Sequence, residues 1–218
     1  MQLLLSTVDP CQHVAVMELV QQHGIGRAVL IVMAEYWNEM DREAAKNDFN
    51  AKKIDSPFYR LLHEEFGIKV HFQQADSHRA FLRKAFDRLR SFVPSVTEEQ
   101  ILVHDLSKYS FEQAVGYTAK WVHDVEWNNS AWQTALRHHY ATEPHHPEHY
   151  TTTCEMPDSY LQESILDMVA SRWERQLGGS DDVTNYELVN FDPKFLSRYS
   201  EGDFVRVEAI IKRIQQCD

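Results

Sequence analysis

Seven of the twelve histidines in this 218-residue chain fall between positions 104 and 149, where an even spread would put about two or three. They are His104, His123, His138, His139, His145, His146 and His149, and acidic residues are interleaved among them. Neutral imidazole nitrogens and carboxylate oxygens suit divalent transition ions such as iron, manganese, zinc, cobalt or nickel. Cys154 is the one thiol nearby, which argues against a structural zinc knuckle. The stretch Ile101-Leu102-Val103-His104-Asp105-Leu106-Ser107-Lys108 runs three apolar residues into a His-Asp pair near the end of a short helix. Neighbours on a helix differ by about 100° in direction, so both can approach one ion only from a helix end. A buried aspartate at that point needs a cation to offset its desolvation. Without a ligand role, the same dipeptide reads as a half-buried histidine beside an aspartate capping the next turn.

The elements that must position these residues are helical. Glycines number only seven, and most long segments carry helical spacing. Thr97 with Gln100 and Ser110 with Gln113 have the spacing of capping boxes, and Asn128 to Ser130 offer a further helix start. Residues 77–92 place Leu82, Phe86 and Leu89 on one face. A helix from Pro157-Asp158 should run to about Gln176 and stop at Gly178-Gly179. A last helix follows Ser200, with Phe204, Val207, Ile211 and Ile214 on one stripe. In the first 70 residues, 14–22 and 27–48 read as helices broken by Gly24 and Gly26, and Ser56-Pro57 opens a third. Residues 68–72 are the only short strand candidate. The expectation is an all-α chain, with an N-terminal helical extension (1–70) packed on a helical domain (71–218).

With its helical setting, His104-Asp105-Leu106-Ser107-Lys108 resembles the central signature of the HD-domain superfamily of metal-dependent phosphohydrolases. His138-His139-Tyr140 and Pro144-His145-His146-Pro147-Glu148-His149 narrow the likeness to a small branch of HD-like proteins in bacteria and phages. It covers about residues 70 to 175. The resemblance implies an HD-like helical bundle, an upstream histidine, the HD pair and a distal aspartate as metal ligands. His78 fits the upstream position and Asp167, with Glu163 as the fallback, fits the distal one; an unpaired charge in the apolar run around Asp167 would be costly. The resemblance also implies that two further histidines hold a second ion in members with more than one metal. His138 or His139 would supply one, and His145, His146 or His149 the other. Only one of two adjacent helical histidines can face a site, so the second faces packing or solvent. His146 is taken here as the ligand and His149 as a substrate contact. The short His139-to-His146 spacing leaves one ion or two open.

Lys108, just past the HD pair, would aim its ammonium at an anionic group of the substrate and stabilise developing charge. Arg137, Arg79 and Arg172 adjoin the presumed elements and could fork onto phosphate. Asp105 or Glu148 would serve as base. His123 reads as a mid-helix residue with a solvated or supporting role. Trp121, Trp127, Trp132 and Trp173 read mainly as core. The expected function is metal-dependent hydrolysis of a small anionic phosphate ester, with a diiron HD-type oxygenase as the alternative. A non-enzymatic metal-binding or scaffold protein is the third reading, its acidic surface and N-terminal block serving a partner or a homodimer.

Composition removes several classes. A 43% hydrophobic content supports a real core, and a net charge of −11 argues against a nucleic-acid polymer as partner. No apolar run approaches the roughly 20 residues that span a bilayer. Leu3-Leu4-Leu5 has no basic flank and is too short for a signal peptide. Three cysteines without CxxC spacing fit a reducing compartment, so a cytoplasmic protein is expected.

Overall fold

The computed structural model describes residues 1–150, 155–177 and 193–216. The described residues are all-α, with no strand among them. In chain order the helices are α1 (Gln2–Leu5), α2 (His13–His23), α3 (Ile25–Glu35), α4 (Glu39–Asn50), α5 (Pro57–Arg60) and α6 (Ile68–Leu89). They continue as α7 (Glu98–Val103), α8 (Phe111–Trp121), α9 (Ser130–Thr142), α10 (Asp158–Leu177), α11 (Pro193–Leu196) and α12 (Glu201–Gln216). Residues 68–72, expected as a strand, are instead the first turns of α6, because the apolar positions continue at helical spacing into Leu82, Phe86 and Leu89.

Two compact units emerge, each built from two stretches of chain: residues 1–73 with 107–139, and residues 74–106 with 140–218. Each has its own apolar core. In the first, α1 to α5 pack with α8 around Leu4, Val29, Val32, Trp37, Phe49, Leu61, Phe66, Ala114 and Ala119. In the second, the later turns of α6 pack with α10 and α12 around Leu82, Phe86, Leu89, Ile165, Val169, Trp173, Val207 and Ile211.

Local chemistry explains the helix ends. Thr97 and Gln100 do form the capping box that starts α7. Ser110 stands at the start of α8 but makes no side-chain cap bond, so its spacing with Gln113 misled; Gln113 is used elsewhere. The expected helix over 27–48 divides in two. Asn38, in extended backbone (φ −74°, ψ 178°), accepts from the Asp41 amide at 3.0 Å while Asp41 accepts from the Asn38 amide at 3.1 Å, which starts α4 afresh. Of the two glycines expected to break the N-terminal helices, only Gly24 does so, at φ +75°; Gly26 continues inside α3 because the His123 ring lies where its Cβ would be. His123 lies past the end of α8, not within it, stacked on Phe66 (centroids 5.0 Å) and bonded to the Phe66 carbonyl at 2.6 Å. Trp132 and Trp173 are core residues, whereas Trp121 and Trp127 stand more than half exposed. The stop at Gly178-Gly179, together with Cys154 and Cys217, lies outside the described residues; Cys11 is an exposed free thiol.

In the first unit α8 and α9 meet at Gly116, where a Cβ would overlap that of Ala135 and stand 2.5 Å from the Ala131 carbonyl oxygen. Backbone cannot move aside as a flexible side chain can. Gly116→Ala is therefore expected to destabilise the protein by about 2–3 kcal/mol, despite the better helix propensity of alanine. Urea unfolding of the two proteins measures it, and an unchanged midpoint would contradict the close crossing.

Candidate metal centre

The site is built entirely within the second unit, from the ends and faces of α6, α7 and α10. The HD pair falls just beyond α7. His104 is extended (φ −51°, ψ 131°) and Asp105 is left-handed (φ +57°). This departure from helical backbone resolves the difficulty of two neighbours pointing about 100° apart, since the reversal turns both side chains to one centre. Aspartate is among the few L-residues that enter the left-handed region readily. Of the three apolar residues before the pair only Ile101 is buried; Leu102 and Val103 are exposed. The Arg79 guanidinium, considered above for phosphate, donates to the Leu102 carbonyl at 2.6 Å and so ties α6 to the start of this turn.

Four residues converge. His78 from α6, His104 and Asp105 from the turn, and Asp167 from α10 each place one ligand atom within 4.8 Å of the others. His78 Nε2 lies 2.9 Å from Asp167 Oδ1 and 3.6 Å from Asp105 Oδ2. His104 Nε2 lies 3.4 Å from Asp105 Oδ2 and 3.8 Å from Asp167 Oδ1. Ligand atoms about 2.1 Å from a shared ion stand roughly 3.0–3.4 Å apart, so the spacing suits a divalent cation. All but Asp167 are almost fully buried.

Glu163, one turn before Asp167 on the same face of α10, accepts from His104 Nδ1 at 2.8 Å. A carboxylate can only accept, so Nδ1 carries a proton, and Nε2, turned towards two carboxylates, is the ring position left for a cation or a second proton. That buried nitrogen makes no hydrogen bond. Electron pairs facing each other in this way need a cation or a proton between them. Burial alone would lower the His104 pKa, but Asp105, Glu163 and Asp167 outweigh it and push it up to about 10. Burial would likewise raise Asp167, yet the hydrogen bond and charge of His78, with the nearby His145 and His104, hold it well below the usual carboxylate range. The buried His, Asp and Glu groups could thus hold a metal ion.

His145 and His146 lie beside this group, each with a nitrogen within 4.8 Å of an Asp105 oxygen. His145 is the more central: its ring is 4.2 Å from that of His104, its Nε2 is 3.7 Å from Asp105 Oδ1 and its Nδ1 is 3.6 Å from Glu163 Oε1. His146 Nδ1 accepts from Arg198 at 3.3 Å. Glu148, expected as a base, instead grips the same guanidinium through both oxygens at 2.6 Å. His149 is exposed and bonded to the Tyr140 carbonyl at 3.0 Å. Lys108, Arg137, His138 and His139 belong to the first unit. Lys108 holds its ammonium 5.4 Å above the Tyr117 ring, Arg137 is exposed and bonded to Thr134, and His138 and His139 share Gln113.

The sequence reading undervalued Glu163 and His145. Glu163, Asp167 and Glu174 share one helical face (i, i+4, i+11), a pattern that could have marked Glu163 as a companion of Asp167 instead of its substitute. Glu174 Oε2 reaches His78 Nδ1 at 3.5 Å, a second carboxylate-to-histidine contact. Nothing in the proline-bounded loop separates His145 from His146. Glu163→Gln, which keeps the shape but removes the charge that sets the His104 tautomer, is expected to weaken metal binding about 10–100-fold, as read by competition with a chromophoric chelator.

A family model, described as a family of unknown function (DUF5662), matches residues 67–212, more than half of the chain and all of the converging residues. Comparison with curated proteins and with solved structures yields no match. No helix among the described residues is long and apolar enough to cross a membrane.

Proposed function

This chain belongs to the DUF5662 family, and for it we propose a metal-dependent hydrolase of the HD type acting on a small phosphate ester. The reading rests on one observation above all: the buried His104 Nε2, the ring position left for a metal ion or a second proton once Nδ1 is bonded to Glu163, faces Asp105 and Asp167. His78, His104, Asp105 and Asp167 would hold the ion. A divalent metal there supplies Lewis-acid polarisation of a phosphoryl oxygen and acidification of a water. Glu163 fixes the ring of His104 and keeps its electron pair aimed inward. Asp105 has a second oxygen, Oδ1, near His145, so this pair can take or pass a proton at the rim of the ion. The order of residues along the chain supports the HD resemblance: an upstream histidine, the HD pair and a distal aspartate meet at one point.

Two measurements test the proposal. Metal analysis of freshly purified protein should find a divalent transition ion. A phosphate-release screen over nucleotides and sugar phosphates with Mn²⁺, Co²⁺, Ni²⁺ or Fe²⁺ should find turnover that His104→Ala abolishes. Metal-bound protein silent across that panel would count against hydrolysis, and two irons with oxygen consumption would favour the oxygenase reading.

A further inference from the structure

Outside the candidate metal centre, the first unit holds a second cluster of titratable groups around Gln113. Gln113 on α8 is fully buried, and the glycine crossing at Gly116 brings it against α9. Its amide nitrogen lies 2.9 Å from His138 Nδ1 and its amide oxygen 3.1 Å from His139 Nδ1. An amide has one donating end and one accepting end, so it cannot bond the same ring nitrogen of two neutral histidines in one tautomer. The amide oxygen needs an N–H from His139 Nδ1, which leaves Nε2 with the electron pair. The amide nitrogen donates to His138 Nδ1, which places that ring's proton on Nε2.

We infer that Gln113 assigns opposite roles to the adjacent histidines: His139 becomes an electron-pair donor suited to a divalent metal ion, and His138 an N–H donor suited to an anionic oxygen. The electron-pair assignment decides between the two residues, which helical spacing leaves equivalent except in direction. His139 is almost fully buried and its ring is packed edge-on against Tyr117 at 5.7 Å, so its orientation is held from two sides. His138 is half-buried. A fixed tautomer is what an outer-shell hydrogen bond gives a metal-ligating histidine. The tautomers stand on geometry alone, while the ligand role of His139 rests on the metal-dependent reading above.

Ring-nitrogen NMR of the full chain, ¹⁵N-labelled and metal-free, tests the assignment. His139 should show a protonated Nδ1 and a bare Nε2, and His138 the reverse. In Gln113→Glu the new carboxylate can only accept, so His138 should switch to the Nδ1–H form while His139 keeps its own. Both rings in one tautomer, the opposite pairing, a doubly protonated His139, or no switch in Gln113→Glu would each overturn the inference; the wild-type spectrum suffices if the variant does not fold. Zn²⁺ should then move the His139 Nε2 signal and not that of His138, and Gln113→Leu should weaken that response about 10–100-fold. A zinc response at His104 without one at His139 would remove the ligand role of His139 and leave the candidate centre intact. Silence at both would remove the metal reading itself.

Discussion

Asp105→Asn is expected to lower divalent-metal affinity at least about 100-fold and to abolish any metal-dependent turnover. Asparagine also enters the left-handed backbone region readily, so the turn at φ +57° should persist and the substitution isolates the charge. The loss should be large because Asp105 faces three histidines at once: Oδ2 faces His78 and His104, and Oδ1 faces His145. An amide in that position offers a weaker donor and a nitrogen that cannot ligate. In thermal unfolding, wild-type protein with metal at about 100 times its dissociation constant should gain about 2.7 kcal/mol, or about 5–10 °C for a chain of this length. A chelator should remove that gain, and Asp105→Asn should melt at one temperature with or without metal. Wild-type affinity in the variant would exclude this cluster as the metal centre.

The metal-free protein should become less stable as the pH rises above neutrality. His104 binds its proton more tightly folded (about 10) than at its ordinary value of 6.5. Its contribution is therefore fully present below pH 6.5 and is lost as the pH climbs through about 10. Asp167 has the opposite sign. Its depressed pKa adds stability above the ordinary value of 3.8, and that part is lost as the pH falls through the lower folded value. The cluster thus contributes most to the metal-free fold between about pH 4 and 6.5, and the loss by about pH 10 is on the order of 4–5 kcal/mol. A divalent ion takes the place of the proton, so the loaded protein should hold its stability over the same range and bind metal more tightly as the pH rises. Urea unfolding at about pH 6, 8 and 10, with chelator and with metal, separates the two curves. A flat metal-free curve would mean that His104 holds no such proton.

The all-α character and most helix positions could be read locally. Leu82, Phe86 and Leu89 on α6, and Val207, Ile211 and Ile214 on α12, are buried as their spacing requires. The capping box of Thr97 and Gln100 depends on neighbours three residues apart, and it forms. Errors arose where a distant residue changed the local rule. Gly26 reads as a breaker until His123, far along the chain, occupies the space of its missing side chain. Trp121 and Trp127 look like core by type, yet the first unit leaves them at its surface.

The HD pair shows the same division. The residue types, the histidine surplus and the acid at 167 were determined by sequence, because ligand chemistry belongs to the side chain itself. Tertiary structure alone decided that Asp105 would adopt a left-handed turn, that Glu163 would accept a hydrogen bond from His104 Nδ1, and that His145 would lie more centrally than His146. It also decided that residues 107–139 build one core with the N-terminal block. These depend on long-range contacts, such as that of His104 with Glu163, 59 residues apart. Such pairings depend on which buried faces close together, and no spacing along the chain encodes that.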